Sequence, residues 1–97
     1  MKHILLNPII HQPVRTQLVA LLASREAMTF NYLKDILRLS DGNLTTHMKK
    51  LIEAGYVDIK KEFVKNRPQT TYMLTEKGRK AFKEYLEQLK NVVKFSI

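Results

Sequence analysis

Small polar and basic side chains are concentrated between positions 43 and 50 of this sequence. They interrupt an apolar pattern of helical spacing, so they should occupy the opposite face of a single helix. The polar face comprises Asn43, Thr45, Thr46, Lys49 and Lys50, followed by Glu53, and the apolar set comprises Leu44, Met48, Leu51 and Ile52. An amide, two hydroxyls and two ammonium groups can donate hydrogen bonds to a ligand rich in acceptors. The segment is therefore typical of a binding surface rather than of a catalytic site.

The rest of the chain contains no motif for catalysis or metal binding. It has no cysteine, which excludes disulfide scaffolds, Cys-ligated zinc and thiol chemistry. His3, His11 and His47 are far apart in sequence, and no pair of carboxylates has a spacing that suggests general acid–base chemistry. We therefore expect no catalytic residues, no cofactor and no metal site. For His47 the sequence favours a packed or phosphate-facing role.

The charge balance indicates an anionic partner. The 97 residues include 17 Lys and Arg against 9 Asp and Glu, a formal net charge of +8. Such a charge favours nucleic acid or a membrane surface, although lysine-rich surfaces also keep proteins in solution. No apolar run approaches the roughly 20 residues that span a bilayer, and the apolar part of segment 1–8 is too short for a signal peptide. We expect one domain, located in the cytoplasm, with no membrane partner.

Three helices are predicted in the first half of the chain. Pro13 suits the first turn of a helix over 13–24, and Thr29 is a suitable N-cap for a second helix over 30–38. Leu33, Ile36 and Leu37 form the predicted buried stripe of that second helix, and 27–29 is a connector. A third helix should begin after Ser40 as N-cap and end at Gly55.

A hairpin and a long helix are predicted in the second half. Val57, Ile59 and Phe63 share one face of a half-buried antiparallel strand, because the period changes to two after Tyr56. Segment 64–69 is predicted as a turn, and 70–75 as the returning strand. Thr75 should cap a last helix that runs to about residue 94 and is about 27 Å long. The fold class is therefore α+β.

The second and third helices, joined by a tight turn, form a helix-turn-helix unit. The second helix of such a unit fits the major groove of double-stranded DNA. Short side chains at Thr45 and Thr46 would allow a close approach to base edges, and Asn43 can bind adenine through two hydrogen bonds. Lys49 and Lys50 can reach phosphate or guanine. At the hairpin tip, Lys65 and Arg67 can contact the neighbouring backbone or the minor groove.

The same residues resemble those of winged-helix transcriptional regulators of the MarR and ArsR type. The run 39–57 is similar to their recognition helix and first wing strand, and it contains Leu-x-x-Ala-Gly-Tyr-Val. The run 70–79, with Tyr-x-Leu-Thr-x-x-Gly, resembles their second wing strand and the start of their dimerisation helix, and 13–22 resembles their first core helix. The resemblance implies a winged helix-turn-helix fold of a three-helix core, a β-hairpin wing and a long C-terminal helix. It also implies that Thr45, Thr46, Lys49 and Lys50 face DNA and that Arg67 lies at the wing tip.

Apolar residues at both ends of the chain predict a homodimer. We expect one winged-helix DNA-binding domain over 1–97, with an N-terminal arm at 1–12 and a C-terminal dimerisation helix at 76–97. The expected interface residues are Ile4, Leu5, Ile9, Tyr85, Leu86, Leu89 and Val93. A two-fold dimer would set two recognition helices roughly 34 Å apart on a palindromic operator.

An alternative function is a winged-helix module for protein–protein contact within a larger assembly. One fold can serve both functions, so the fold alone does not distinguish them. The polar face formed by Asn43, Thr46, Lys49 and Lys50 favours DNA, whereas an exposed apolar face there would favour a protein partner. The sequence identifies neither the operator nor a small-molecule effector, and it does not separate a repressor from an activator.

Overall fold

The computed structural model describes residues 4–96. In this part of the chain the elements follow the order α1 (Pro13–Ser24), β1 (Met28–Thr29), α2 (Phe30–Leu37), α3 (Asp41–Glu53), β2 (Val57–Val64), β3 (Arg67–Leu74) and α4 (Glu76–Ser96). The expected sequence of three core helices, a wing and a long last helix is confirmed. Residues 1–3 of the predicted arm and Ile97 of the predicted last helix lie outside the described residues.

Side-chain caps define where the helices begin. Thr29 Oγ1 accepts a hydrogen bond from the Tyr32 amide at 3.1 Å, and Ser40 Oγ accepts one from the Asn43 amide at 3.1 Å, so both predicted N-caps are confirmed. Gln12 caps α1 in the same way. The predicted end of α2 was one residue too late, because Arg38 adopts a left-handed conformation with φ of 53° and terminates the helix.

The wing is longer and its turn is tighter than the sequence indicated. Only Lys65 and Asn66 form the turn, and both have positive φ. Strand β2 pairs with β3 along its whole length, from Val57 opposite Leu74 at the base to Val64 opposite Arg67 beside the turn. Pro68 falls in the segment predicted as a turn but lies within β3, opposite Phe63. It is tolerated there because β1 pairs only with Thr71 and Tyr72, which leaves that side of β3 open at Pro68.

The segment predicted as a connector contains a short strand. Met28 pairs with Tyr72 and Thr29 pairs with Thr71, which gives a three-stranded antiparallel sheet in the order β1-β3-β2. Met28 is buried. This pairing joins the start of α2 to the base of the wing.

The core lies between the helices and the base of the sheet. Its buried residues are Ile10, Leu18, Val19, Leu22, Met28, Leu33, Leu44, Met48, Leu51, Val57, Tyr72 and Tyr85. Three predictions of burial were wrong: Ile36 is 48% exposed, Ile59 is 40% exposed and Phe63 is 77% exposed. Phe63 lies far along the wing, beyond the reach of the helices that cover Val57 at its base. Ile10 of the N-terminal arm is fully buried within the chain and belongs to this core.

A compact joint connects α3, the wing and α4. Gly55 follows α3 with φ of 80°, as predicted for a helix C-terminus. The Thr75 amide donates to the Tyr56 carbonyl at 2.9 Å, and Thr75 Oγ1 donates to the Gly55 carbonyl at 2.7 Å. Thr75 Oγ1 also accepts from the Gly78 amide at 2.9 Å, so Thr75 caps α4 as predicted. Both motifs that carried the family resemblance therefore meet at this joint.

None of the helices within residues 4–96 combines the length and the apolar character needed to cross a bilayer.

Candidate nucleic-acid interface

Helix α3 presents a polar face to solvent because its apolar residues are held in the core. Leu44, Met48 and Leu51 are buried and anchor the helix. The polar residues Asn43, Thr45, Thr46, Lys49 and Lys50 are all exposed. The helix is therefore fixed on one side and free to contact a ligand on the other.

The five polar residues do not share one line on this face. At roughly 100° per residue, Thr46, Lys49 and Lys50 point away from the core, whereas Asn43 and Thr45 lie on opposite flanks, about 160° apart. Lys34 of α2 contacts Asp41 of α3, which places α2 on the flank that carries Thr45. The structure thus brings Thr46, Lys49 and Lys50 together, and Asn43 lies on the same flank as Lys50 but two turns nearer the start of the helix.

Few of the candidate cations are held by acidic groups. Lys49 Nζ lies 4.0 Å from Glu53 Oε1, an exposed pair that restrains the lysine only weakly. Within residues 4–96, Lys50, Lys65 and Arg67 form no ion pair with a carboxylate. Their charges are therefore available to an anionic ligand.

One acidic group near the α3 N-terminus is neutralised by a neighbour. Lys34 Nζ lies 2.8 Å from Asp41 Oδ1, and this hydrogen bond, together with the carboxylate charge, raises the pKa of Lys34 above its usual value. Asp41 also lies in the first turn of α3, where a negative charge suits the helix dipole. The pair links α2 to α3 and offsets a charge that would repel a polyanion.

The wing places two cations at the far end of the sheet. Lys65 is the first turn residue and Arg67 is the first residue of β3, and both are exposed. They line an open groove of 670 Å³ between the wing and the start of α2, which Phe30 and Asn31 border on the other side. This groove leaves room for an extended ligand between the helical core and the wing.

A contact between α1 and α3 was not anticipated from the sequence. Arg15 Nη1 lies 3.2 Å from His47 Nδ1, and Arg15 Nε donates to the Ile9 carbonyl at 2.6 Å. Burial, then Arg15, then Lys50 lower the pKa of His47. In the sequence the only local signal is that Arg15 lies off the apolar stripe of α1. Its partner is 32 residues away, so the pairing could not be inferred.

The residues predicted for a dimer interface differ in exposure. Leu5, Leu86 and Val93 are exposed, and Ile4, Ile9 and Leu89 are half-buried. Ile9 and Leu89 pack against the core of their own chain. Tyr85 is a correction: it is only 2% exposed, and its hydroxyl is 2.8 Å from His11 Nδ1, so it is a core residue of the single chain.

The fold and the polar face have a direct counterpart among known families. A family described as a winged helix DNA-binding domain matches residues 14–93. The chain belongs to this family. It is a family of DNA-binding domains and not an enzyme class.

This winged-helix DNA-binding domain is similar to proteins of two other organisms. It is 47% identical to an uncharacterized protein of Methanocaldococcus jannaschii over 81 aligned residues. The alignment covers 84% of this chain and 88% of the relative. Its structure is similar to that of a transcriptional regulator homologue from Pyrococcus horikoshii OT3. That match has a TM-score of 0.82 and 31% identity, and it covers 89% of this chain and 85% of the other.

A further structural neighbour of the winged-helix domain is a possible transcriptional regulator for arsenical resistance. Its TM-score is 0.65 and its identity is 27%, over 84% of this chain and 79% of the neighbour. The neighbours are regulators of the MarR and ArsR type, which confirms the predicted resemblance.

Proposed function

We propose that this winged-helix protein is a sequence-specific transcriptional regulator that binds double-stranded DNA as a homodimer on a palindromic operator. The observation that carries the proposal is the exposed polar face of α3, with two lysines against the single carboxylate of Glu53, anchored to the core on its other side, in a chain of a DNA-binding family. The polar character of this face disfavours the alternative of a protein-binding module, which would need apolar contact area there.

In the proposed complex, α3 lies in the major groove. Thr46 contacts base edges because its short side chain allows the helix backbone to approach closely, and Lys49 and Lys50 bind guanine or phosphate. Asn43 and Thr45 lie on opposite flanks of the helix, one on each side of this set. Asn43 is placed to read adenine through two hydrogen bonds.

The wing supplies a second contact in this proposal. Lys65 and Arg67 lie at its tip, and neither forms an ion pair with a carboxylate of the described residues. They contact the adjacent backbone or the minor groove, where the negative potential favours arginine. These contacts add affinity that depends little on sequence.

Exposed apolar side chains at the two ends of the described chain support the homodimer. Leu5 is 81% exposed, and Leu86 and Val93 on α4 are also exposed. Large exposed apolar patches mark interfaces. In a two-fold dimer these residues would pack against the same surface of the second protomer and be shielded from solvent. The same axis would pair two recognition helices about one turn of DNA apart, which is the reason for a palindromic operator.

Selection of bound duplexes from a random pool tests the proposal. We expect enrichment of one inverted repeat whose half-sites are about one helical turn apart, and an affinity that falls steeply with salt. Binding of all duplexes with equal affinity would contradict sequence specificity. Enrichment of a single half-site would contradict the dimeric arrangement.

A further inference from the structure

Arg15 connects three separate parts of the chain at the edge of the recognition helix. Its Nε donates to the carbonyl of Ile9 in the N-terminal arm, and its Nη1 contacts Nδ1 of His47 on α3, while Arg15 itself belongs to α1. Two hydrogen bonds in different directions hold the planar guanidinium in place. The imidazole of His47, which is half-buried, is therefore held as well.

This contact determines where the imidazole carries its proton. A guanidinium has only donors, so Nδ1 of His47 must accept, and the neutral ring must carry its hydrogen on Nε2. Among residues 4–96, Nε2 has no hydrogen-bond partner, and no buried side-chain nitrogen is left without one, so Nε2 is open to solvent. His47 thus offers one oriented N–H donor to a ligand outside the protein.

The donor lies at the flank of the polar face of α3. His47 is one helical turn from Asn43 and three residues before Lys50, on the side where α1 approaches. Lys50 is close enough for its charge to act on His47. Within residues 4–96, neither Arg15 nor Lys50 forms an ion pair with a carboxylate. One neutral N–H and two cationic groups therefore lie near one another at this flank, and neither cation is paired with a carboxylate of the described residues.

We propose that Arg15, His47 and Lys50 bind one phosphodiester group of the DNA backbone, with Arg15 positioning His47 so that Nε2–H points to a phosphate oxygen. The inference rests on the proposed DNA-binding function and adds a contact at the wall of the major groove. A phosphodiester fits because it is an anion with two free acceptor oxygens, which three donors can share. The contact carries no sequence information and fixes the register of α3 on the duplex.

The electrostatics of the site keep His47 neutral. Burial, Arg15 of α1 and Lys50 of α3 all lower its pKa, and from the described part of the arm the uncharged Ile9 carbonyl binds Arg15. Protonation would place a second hydrogen on Nδ1, opposite the Arg15 N–H, and would break the hydrogen bond that orients the ring. The positioned donor is therefore a property of the neutral ring.

Nitrogen-15 spectra of the free protein test the positioning directly. At pH 7.5, we expect His47 to show the Nε2–H tautomer, and we expect Arg15→Met to lose this single preference. An Nδ1–H tautomer in the parent, or no change in Arg15→Met, would overturn the positioning role. This readout does not depend on any DNA ligand.

Binding measurements test the phosphate contact. His47→Phe removes the donor and keeps a ring, and we expect it to bind the selected operator and a random duplex about tenfold more weakly, the effect of one charge-assisted hydrogen bond. His47→Gln has an amide that can both accept and donate, and we expect it to retain most of the affinity. Thermal unfolding of each variant shows whether it is folded. Equal affinity of His47→Phe and the parent would overturn the contact.

Methylphosphonate substitution at single backbone positions identifies the ligand group. The parent should lose affinity at one phosphate in each half-site, and His47→Phe should show little further loss at that same phosphate. If the affinity losses caused by the methylphosphonate and by His47→Phe were fully additive, the assignment of His47 to that phosphate would be overturned. A change in the His47 nitrogen-15 signal on addition of inorganic phosphate that persists with duplex DNA bound would indicate a site for a free anion. That result would also overturn the proposed contact with the DNA backbone. If the parent selects no duplex at all, the proposed function fails, whereas loss of only the His47 effect leaves that function standing.

Discussion

At the scale of single residues, exposure separates the candidate contacts from the core. Thr46 and Lys49 are exposed and lie off the buried stripe of α3, so substitutions there should spare the fold. Their role in binding DNA remains a prediction that only binding data can test.

We expect Thr46→Ala and Lys49→Ala each to weaken operator binding by about 1–3 kcal/mol, the usual cost of a lost base contact. Fluorescence anisotropy at matched salt measures this loss, and Lys80→Ala on α4 is the charge-matched control for Lys49→Ala. Unchanged operator affinity in both variants would show that this face does not read the bases.

At the wing, Arg67→Ala should weaken binding to all duplexes alike. Removing one phosphate contact should reduce the slope of log affinity against log salt by about one. The measurement is a salt titration with the operator and with a random duplex. If Arg67→Ala kept the affinity and the salt slope of the parent, the wing tip would not touch DNA.

His47 should make the stability of the protein depend on pH. Its folded-state pKa lies below the ordinary value of 6.5, so the unfolded chain takes up the proton at higher pH than the folded chain does. Its contribution is therefore present above pH 6.5 and is lost as the pH falls through the lower, folded-state pKa. Urea unfolding at several pH values should show that the free energy of unfolding falls less on acidification in His47→Gln than in the parent. Equal losses in both proteins would contradict this prediction.

At the scale of elements, the joint between α3, β2 and α4 explains why two glycines lie in the recognisable motifs. Gly55 adopts a positive φ that few other residues tolerate. A Cβ on Gly78 would collide with the Tyr56 carbonyl and with the side chain of Leu74. These motifs therefore indicate how the wing is attached to α4, and they do not themselves contact DNA in the proposed complex.

Gly78→Ala should destabilise the protein by about 1–3 kcal/mol, the usual cost of forcing an atom into a packed site. Gly42→Ala is the matched control, because a Cβ there meets nothing within 4 Å, and an alanine within α3 should instead stabilise by about 0.5–1 kcal/mol. Urea unfolding of both variants measures the two effects. A neutral Gly78→Ala would mean that α4 shifts easily at its first turn.

At the scale of the whole molecule, a charged substitution at Val93 tests the proposed dimer more directly than one at Leu89. Leu89 packs partly against the core of its own chain, so a charge there would also disturb folding. Val93 is 51% exposed on α4. We expect Val93→Glu to yield a folded monomer with much weaker operator binding, because one recognition helix then acts alone.

Sedimentation velocity at micromolar concentration measures the assembly, with Lys80→Gln on α4 as the control, because it changes the net charge by the same single unit. A parent protein that sediments as a monomer under these conditions would contradict the dimer and, with it, the palindromic operator.

The sequence by itself determined the elements whose signals are local. The bounds of α1, the caps at Thr29, Ser40 and Thr75, and the helix end at Gly55 all follow from residues within a few positions of one another. Helical spacing also separated the polar face of α3 from its core face, because that separation needs only the period of the helix. The family resemblance followed from motifs of the same short range.

The tertiary structure alone decided what depends on distant partners. The pairing of Met28 with Tyr72, the burial of Tyr85 and the contact between Arg15 and His47 each join residues far apart in the chain. An apolar pattern shows that a face can be buried, but it does not show how far the neighbouring elements extend. Phe63 fits the pattern of a buried strand residue and is nevertheless exposed, because the wing projects past the helices that would have covered it.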